Sequence, residues 1–137
     1  MAATLTLADA QRVLDAALAK AVEIGQPMNV AVVDAGGHLM AFARQDDAIL
    51  ASIDIATRKA RTAVLLKMPT AQLGEAAAPG GPLYGIEVTN GGLVIFGGGI
   101  PLSRSRHGVL GAIGVSAGTV EQDTEVAEAG VAAFPKR

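Results

Sequence analysis

The sequence predicts a mixed α/β (α+β) fold in which one antiparallel sheet of about five strands is flanked by helices. The chain has 137 residues, the length of a single domain. Half of it is hydrophobic but only 3% is aromatic, so Ala, Val, Leu and Ile must build the core. The predicted elements run helix, strand, strand, helix, loop, three strands, helix. Consecutive strands joined by short turns must pair antiparallel, because a parallel crossover needs roughly a dozen residues.

The composition excludes several classes of protein. A net charge of −2 gives the domain no general attraction for nucleic acid or anionic membranes. The absence of cysteine excludes disulfides, thiolate metal sites and cysteine nucleophiles. No apolar run reaches the roughly 18 residues of a membrane span, and no basic segment precedes an apolar one at the N-terminus. No linker or repeat divides the chain, so we expect residues 1–137 to form one soluble, cytoplasmic domain.

The low charge content points to an assembly. Charged residues make up 18% of the chain, against roughly 25% in typical soluble domains, and the mean hydropathy is +0.40. A surface this apolar is often covered by sister subunits. We therefore expect a homo-oligomer.

The first half of the chain predicts a helix, a hairpin and a second helix. Thr6 is expected to cap the first helix, with Asp9 in its first turn, and Gly25 and Pro27 end it. Residues 29–34 and 38–44 are β-rich runs separated by a turn at 35–37 that contains two glycines, as in a β-hairpin. After a polar break, a second helix is expected over residues 49–66. The apolar stripe of the first helix is Leu7, Val13 or Leu14, Ala17, Leu18, Ala21 and Val22, and that of the second is Ile49, Ile53, Ala56, Ala60, Ala63 and Val64.

The second half predicts three strands and a last helix. A short helix is expected over 71–77, followed by a loop at 78–82 that is rich in Gly and Pro. Residues 93–96 are interpreted as a buried strand, and a glycine turn then leads into an extended segment at 100–102. Residues 109–116 are apolar with small residues interleaved, which is typical of a central strand. Thr119 and Gln122 resemble a capping box that opens a helix to about Ala133.

The second helix carries a cluster of cations. Arg58, Lys59, Arg61 and Lys67 are not interrupted by an acid after Ile55. Cations late in a helix complement its dipole, and Asp54 can pair with Arg58, which explains part of the pattern. The remainder is a local positive patch suited to a carboxylate or a propionate.

The densest glycine run is Gly97-Gly98-Gly99. Bare backbone N–H groups can hold an oxyanion, and the missing side chains let a flat ligand approach closely. The same run is also explained by a tight bend between strands. It is no phosphate-binding P-loop, since no Gly-Lys-Ser/Thr follows. Residues 114–118 match G-x-S-x-G, but no histidine follows them, so we interpret them as a strand end rather than a nucleophile elbow.

Acidic and histidine residues near the turns have ordinary explanations beside functional ones. Asp34 heads the glycine turn, where bonding to the backbone is the usual role of Asp. Asp46 either caps the second helix or presents a carboxylate to a pocket. His38 is interpreted as a surface histidine rather than an axial ligand, and residues 104–108, which include His107, as a solvated turn. The two histidines have no neighbour at metal-ligand spacing, so no metal site is expected.

Five motifs in order resemble one known family. The chain resembles the GlcG/HbpS-like family, which includes the C-terminal domain of PduO-type proteins, from about Leu7 to Phe134. The resemblance is carried by Val32-Val33-Asp34-Ala35-Gly36-Gly37-His38-Leu39, Arg44-Gln45-Asp46-Asp47-Ala48, Lys59-Ala60-Arg61-Thr62-Ala63, Gly97-Gly98-Gly99-Ile100-Pro101 and Gly108-Val109-Leu110-Gly111-Ala112-Ile113-Gly114-Val115-Ser116.

The resemblance implies a profilin-like α-β-α sandwich with a five-stranded antiparallel sheet. It also implies a homo-oligomer, from dimers to octamers. Some members bind haem, whereas others occur with catabolic genes and have no settled activity. The family usually reads Arg-Met-Asp-Gly-Ala and Val-Ser-Gly, and here Asp47 and Ala117 stand in place of the two glycines. No axial haem ligand is carried over by motif match.

Three hypotheses for function follow. The first is a protein that binds haem or a carboxylate metabolite in a pocket lined by Lys59, Arg61, Thr62, Gly98, Gly99 and Pro101. The alternative is a small cofactor-independent enzyme, an acid–base isomerase or lyase or a hydrolase, acting on a carboxylate. In it Asp46 is the base, Lys59 and Arg61 hold the carboxylate and the glycine amides stabilise an oxyanion. The third is an oligomeric scaffold without a small ligand.

Overall fold

The structure is a computed structural model that describes residues 4–136. Residues 4–136 form four helices, four strands and one short 3-10 turn. In chain order these are α1 (Leu7–Glu23), β1 (Asn29–Asp34), β2 (Leu39–Arg44), α2 (Ala51–Leu66), α3 (Thr70–Ala77), the 3-10 turn Ile86–Val88, β3 (Gly99–Arg104), β4 (Gly108–Ser116) and α4 (Val120–Ala132).

The sheet is antiparallel throughout, with the strand order β2-β1-β4-β3. It has four strands, so the prediction of a five-stranded sheet is wrong. Residues 93–96 are the missing strand. Leu93 and Val94 are buried as predicted, but the Val94 N–H donates to the Thr62 hydroxyl on α2 (3.1 Å) and the Leu93 N–H to the carbonyl of Glu87. These backbone groups are satisfied outside the sheet, so no strand forms.

Helices cover both faces of the sheet. On one face α1 and α4 pack on a core that includes Val30, Val32 and Ile113. On the other face α2 packs on Val33 and Ala112 through Ala60, Ala63 and Val64. Adjacent residues of β1 thus point to opposite faces, as the pleat requires. The three layers form an α-β-α sandwich.

Helix α2 lies unusually close to the sheet. Gly99 of β3 and Gly114 of β4 are direct cross-strand partners. A Cβ built on Gly114 lies 2.0 Å from the Ala56 carbonyl oxygen, and one built on Gly99 lies 2.4 Å from that of Lys59. These two glycines form a trough for α2, because no side chain fits between the helix backbone and the strands.

Two helix ends match their predicted caps. The Thr6 hydroxyl accepts the Asp9 N–H (3.1 Å), and Thr119 and Gln122 form the predicted capping box of α4. Helix α2 begins at Ala51 rather than at 49, and Ile49 is 58% exposed. Its buried face includes the polar Ser52 and Lys59 in place of the predicted Ile49 and Ile53. In α1 the predicted core positions Leu7 and Val22 are also exposed.

Asp47 and Ala117, which stand where the resembling family has glycine, both have left-handed backbone. Asp47 has φ 71° and Ala117 has φ 136°. Glycine adopts these angles without steric cost, which explains why the resembling family has glycine there. An Asp tolerates the left-handed region better than an Ala does, so the strain is greater at Ala117. Among residues 4–136, no helix is long and apolar enough to cross a membrane.

Candidate functional site

Lys59 is buried in the interior rather than facing a pocket. Its side chain is fully buried, and its ammonium donates to the Val115 carbonyl (2.9 Å) and to Asp123 Oδ2 (2.8 Å). The Nζ atom lies 4.9 Å from the centroid of the Phe96 ring. Helix α2 supplies the ammonium, and α4 supplies the carboxylate 64 residues later. We call this contact the Lys59–Asp123 pair.

Backbone groups also form hydrogen bonds with both members of the Lys59–Asp123 pair. Asp123 Oδ1 accepts the Gly118 N–H (2.9 Å), next to the strained Ala117. Burial lowers the pKa of Lys59, against the raising effect of Asp123. Burial also raises the pKa of Asp123, against the lowering effects of Lys59 and of the N–H groups of Gly118 and Ala117. Desolvation therefore offsets much of the attraction in the pair.

The glycine run lines a mostly apolar cleft of about 400 Å³. The cleft lies beside the edge strand β3, and the Gly99 N–H on its wall already donates to the Thr70 hydroxyl (2.9 Å). A Cβ built on Gly98 lies 2.7 Å from Lys59 Nζ, so the ammonium is directly behind the glycine floor. The lining residues are Pro69, Ala71, Gly98, Gly99, Ile100, Thr124, Glu128 and Val131.

The other predicted pocket residues lie elsewhere. Arg61 donates a hydrogen bond to the Asn90 carbonyl (2.8 Å), and Arg58 donates one to the Gly91 carbonyl. Both arginines of α2 therefore bind the loop at 90–92. Thr62 is buried and accepts the Val94 N–H. Pro101 pairs with Ala112 within the sheet. The structure brings Gly98 and Gly99 to one cleft with Lys59 behind it, and the carboxylate pocket around Lys59, Arg61, Thr62 and Pro101 stays a prediction.

The hairpin turn between β1 and β2 brings Asp34 and His38 into contact, two residues to which the sequence assigns separate roles. His38 Nδ1 lies 3.1 Å and 3.3 Å from the two carboxylate oxygens of Asp34. Asp34 Oδ1 also accepts the N–H groups of Gly36 and His38, both at 2.9 Å. The predicted backbone role of Asp34 is thus present, together with a second role toward the imidazole. The signal in the sequence is an Asp four residues before a His across a glycine turn.

Asp34 fixes which imidazole nitrogen is free. Burial raises the pKa of Asp34, but the N–H groups of His38 and Gly36 outweigh burial and hold that pKa below its ordinary value. The carboxylate only accepts, so in the neutral imidazole the contact with Asp34 places the proton on Nδ1 and leaves Nε2 free. The His38 side chain is 81% exposed. An imidazole held in this way by a carboxylate can bind a metal centre through Nε2.

His38 borders a cleft of about 310 Å³ with mainly apolar walls. Its lining residues are Thr4, Leu5, Asp34, Ala35, Gly36, His38, Met40 and Leu110, and we call it the His38 cleft. Within residues 4–136, no group of three or more His, Asp and Glu side chains is placed to hold a metal ion. His107 lies in an exposed turn of the β3–β4 connection.

Asp46 lies in a different, larger cleft of about 560 Å³. This cleft is formed where α1 ends and β2 ends, and it also contains Arg44. Lys59 does not line it, so the two residues of the predicted acid–base site do not share a pocket. The lining residues are Ala21, Val22, Gly25, Gln26, Pro27, Arg44, Gln45 and Asp46, and we call it the Arg44 cleft.

Comparison with known proteins identifies the family. The family described as haem degrading protein HbpS-like matches residues 5–132. The 15.0 kDa protein in the dhaT-dhaS intergenic region of Citrobacter freundii is 46% identical over 96% of this chain and 93% of its own length. The corrinoid adenosyltransferase PduO of the same organism is 39% identical, and the chain covers 41% of it.

Solved structures agree with this match. A PduOC:haem complex superposes with a TM-score of 0.91 at 38% identity, covering 96% of this chain and 95% of the other. A double mutant of HbpS from Streptomyces reticuli superposes with a TM-score of 0.88 at 32% identity, covering 98% and 90%. The sequence match extends over nearly the whole domain, and the fold is the same. The chain therefore belongs to the HbpS-like family.

Proposed function

We propose that this protein binds haem and that His38 is the iron ligand. The observation that carries the proposal is the Asp34–His38 contact, which leaves Nε2 as the free nitrogen of an exposed, oriented imidazole. A porphyrin supplies most of the iron's ligands itself, so one protein side chain is enough. A bare metal ion needs several ligands, and residues 4–136 offer no such group.

The walls of the His38 cleft fit a largely apolar ligand. Leu5 and Leu110 belong to the main core and reach the cleft from two directions, and Met40 adds a thioether. The solved PduOC:haem complex, with a chain 38% identical to this one, supports haem as the ligand class. When bound, haem supplies a redox-active iron whose properties depend on these side chains.

A haemin titration of the purified protein tests the proposal. We expect a saturable, shifted Soret band at about one haem per chain. His38→Ala is expected to abolish the band of histidine-ligated iron, whereas His107→Ala, the matched change at the other histidine, is expected to leave it intact. A spectrum that is the same in all three proteins, or free haemin throughout the titration, contradicts the proposal.

We also propose that the chain assembles into a homo-oligomer, between dimer and octamer. Large apolar side chains remain exposed at the start of α2 and in the loop before β3, including Leu50 at 69% and Val88 at 83%. Exposed apolar side chains in such numbers are often covered by sister subunits. Mass photometry with and without haemin measures the assembly, and a monomer at micromolar concentration contradicts it.

A further inference from the structure

We propose that the Arg44 cleft is a second binding site, separate from haem, for small carboxylates that carry a neighbouring hydroxyl or ammonium group. The cleft shares no lining residue with the His38 cleft. The two clefts lie at opposite ends of β2, since one contains residues 38 and 40 and the other residues 44 to 46. The inference is therefore independent of the proposed haem site.

Arg44 offers an unused guanidinium. Within residues 4–136, the side chains of Arg12, Arg58, Arg61 and Arg104 all donate hydrogen bonds to a carboxylate or a carbonyl. Arg44 and Arg106 are the described arginines whose side chains make none. Both residues are exposed, but Arg106 lies in a turn, whereas Arg44 lines the largest of the three clefts described above. A free guanidinium fork in a cleft matches a carboxylate in two hydrogen bonds.

Asp46 offers the complementary group. Its carboxylate lines the same cleft and forms no ion pair with any of residues 4–136. Arg44 and Asp46 have opposite charges and line one cleft, yet their side chains do not form an ion pair with each other. An ionised carboxylate only accepts hydrogen bonds, so it selects a ligand with a hydroxyl or ammonium donor. The two residues together recognise both ends of a small hydroxy acid or amino acid.

The backbone between the two charges is fixed from several sides. Gln45 lies between them, and its side chain donates to the Leu18 carbonyl (3.2 Å) and accepts the Met28 N–H (2.9 Å). The Gln45 N–H also donates to the Met28 carbonyl (3.0 Å). Asp47, in left-handed backbone, turns the chain directly after Asp46. The backbone that carries Arg44 and Asp46 is thus held in place, which lowers the entropic cost of binding.

Four probes of nearly equal size test the inference. L-Lactate and L-alanine carry both groups, propionate carries only the carboxylate, and isopropylamine only the donor. We expect lactate or alanine to bind the full-length protein roughly tenfold to a hundredfold more tightly than propionate or isopropylamine, the effect of one hydrogen bond to a charged group. Calorimetric titration gives the affinities, and backbone amide shifts at residues 44 to 47 locate the site.

Two variants assign the roles. Arg44→Gln is expected to abolish binding of all three carboxylate-bearing probes. Asp46→Asn is expected to keep propionate binding and to remove the preference for the donor group, a change that a merely structural role does not produce. Arg106→Gln, the matched change at the other free arginine, is expected to bind as the unaltered protein does.

Several results overturn the inference. These are equal affinity for lactate, alanine and propionate, amide shifts outside the cleft, unchanged binding in Arg44→Gln, and no binding of lactate or alanine up to their solubility. Its failure is distinguishable from failure of the haem proposal. Arg44→Gln is expected to give the full haemin titration, and His38→Ala is expected to bind the small-molecule probes normally.

Discussion

Oppositely charged side chains are buried and paired in the interior between α2 and α4, but exposed or unpaired at the two ends of the β1–β2 hairpin. In the interior, the Lys59–Asp123 pair is dry and closed, with side-chain exposures of 0% and 4%. At the hairpin turn, Asp34 and His38 also touch, but the imidazole is exposed. At the other end of the hairpin, Arg44 and Asp46 share a cleft without pairing. The buried pair satisfies its own charges and is closed to solvent, whereas the charges at the two ends of the hairpin are exposed or unpaired and can meet a ligand.

Breaking the interior pair is expected to have the largest effect. Lys59→Met leaves the Asp123 carboxylate buried without its partner and is expected to cost about 3–5 kcal/mol of unfolding free energy. Urea unfolding followed by circular dichroism measures it. Lys67→Met changes an exposed lysine at the C-terminal end of the same helix and is the control. It is expected to change the free energy of unfolding by less than about 0.5 kcal/mol.

The double variant Lys59→Met/Asp123→Leu tests whether the unpaired Asp123 carboxylate causes the loss of stability. It removes both charges from the interior, and a buried pair replaced by apolar groups is often neutral for stability. We expect it to recover most of the loss. If the double variant is as unstable as Lys59→Met, the loss comes from packing rather than from the unpaired carboxylate.

The pH dependence of the Lys59→Met variant follows from Asp123. Burial raises the pKa of this carboxyl, and without Lys59 nothing but two backbone N–H groups opposes that rise. A carboxyl whose pKa is raised on folding contributes stability below its unfolded pKa and loses it as the pH rises through the folded pKa. The variant is therefore expected to gain stability, relative to the unaltered protein, as the pH falls from neutral toward 3.8. Urea midpoints across that range measure this, and a constant difference contradicts it.

At the hairpin turn, Asp34→Asn is expected to weaken haem binding while the turn persists. The Asn oxygen can still accept the Gly36 and His38 N–H groups, but it no longer presents a charge to the imidazole. Removing the hydrogen-bond partner of a histidine that binds a metal typically lowers the affinity for the metal about tenfold to a hundredfold. Haemin titration measures the loss, with Asp15→Asn on exposed α1 surface as the control. Equal affinity in both variants shows that Asp34 does not support the ligand.

The smallest effect is expected at the strained loop beside Asp123. Ala117→Gly relieves a φ of 136° and is expected to stabilise the protein by about 1 kcal/mol, after the greater flexibility of glycine in the unfolded chain is subtracted. Asp47→Gly is expected to gain less, since Asp tolerates left-handed backbone. Thermal midpoints compare the two, and a lower midpoint for Ala117→Gly contradicts the strain.

Local signals in the sequence predict local structure well here. The Thr6 cap, the Thr119 capping box and the hairpin all follow from residues near one another in the chain. The apolar run at 93–96 correctly predicts the burial of Leu93 and Val94, but Phe96 is 42% exposed and the run does not pair as a strand. Whether such a run joins a sheet depends on partners such as Thr62, which lies 32 residues away from Val94. Apolar character alone does not specify that partner.

The candidate sites depend even more on contacts between residues that are far apart in the sequence. The sequence shows that α2 is cationic, but not that folding turns Lys59 inward to Asp123 while Arg58 and Arg61 fasten a loop. Each of these contacts joins residues at least 29 positions apart. The Asp34–His38 contact is local. An exposed histidine after a turn is common, so the sequence favours a surface histidine at this position over a metal ligand, and it does not indicate the contact with Asp34.

The trough formed by Gly99 and Gly114 has an evolutionary consequence. At both positions the backbone of α2 occupies the place of a Cβ, so the spacing between helix and sheet is set by atoms that mutation cannot remove. A single methyl group there has to push a whole helix outward. At the hairpin turn, the atoms nearest to a Cβ built on Gly36 or Gly37 belong to side chains rather than to a helix backbone. Side chains at the ends of the hairpin can therefore change by mutation while this layer of the domain keeps the same thickness.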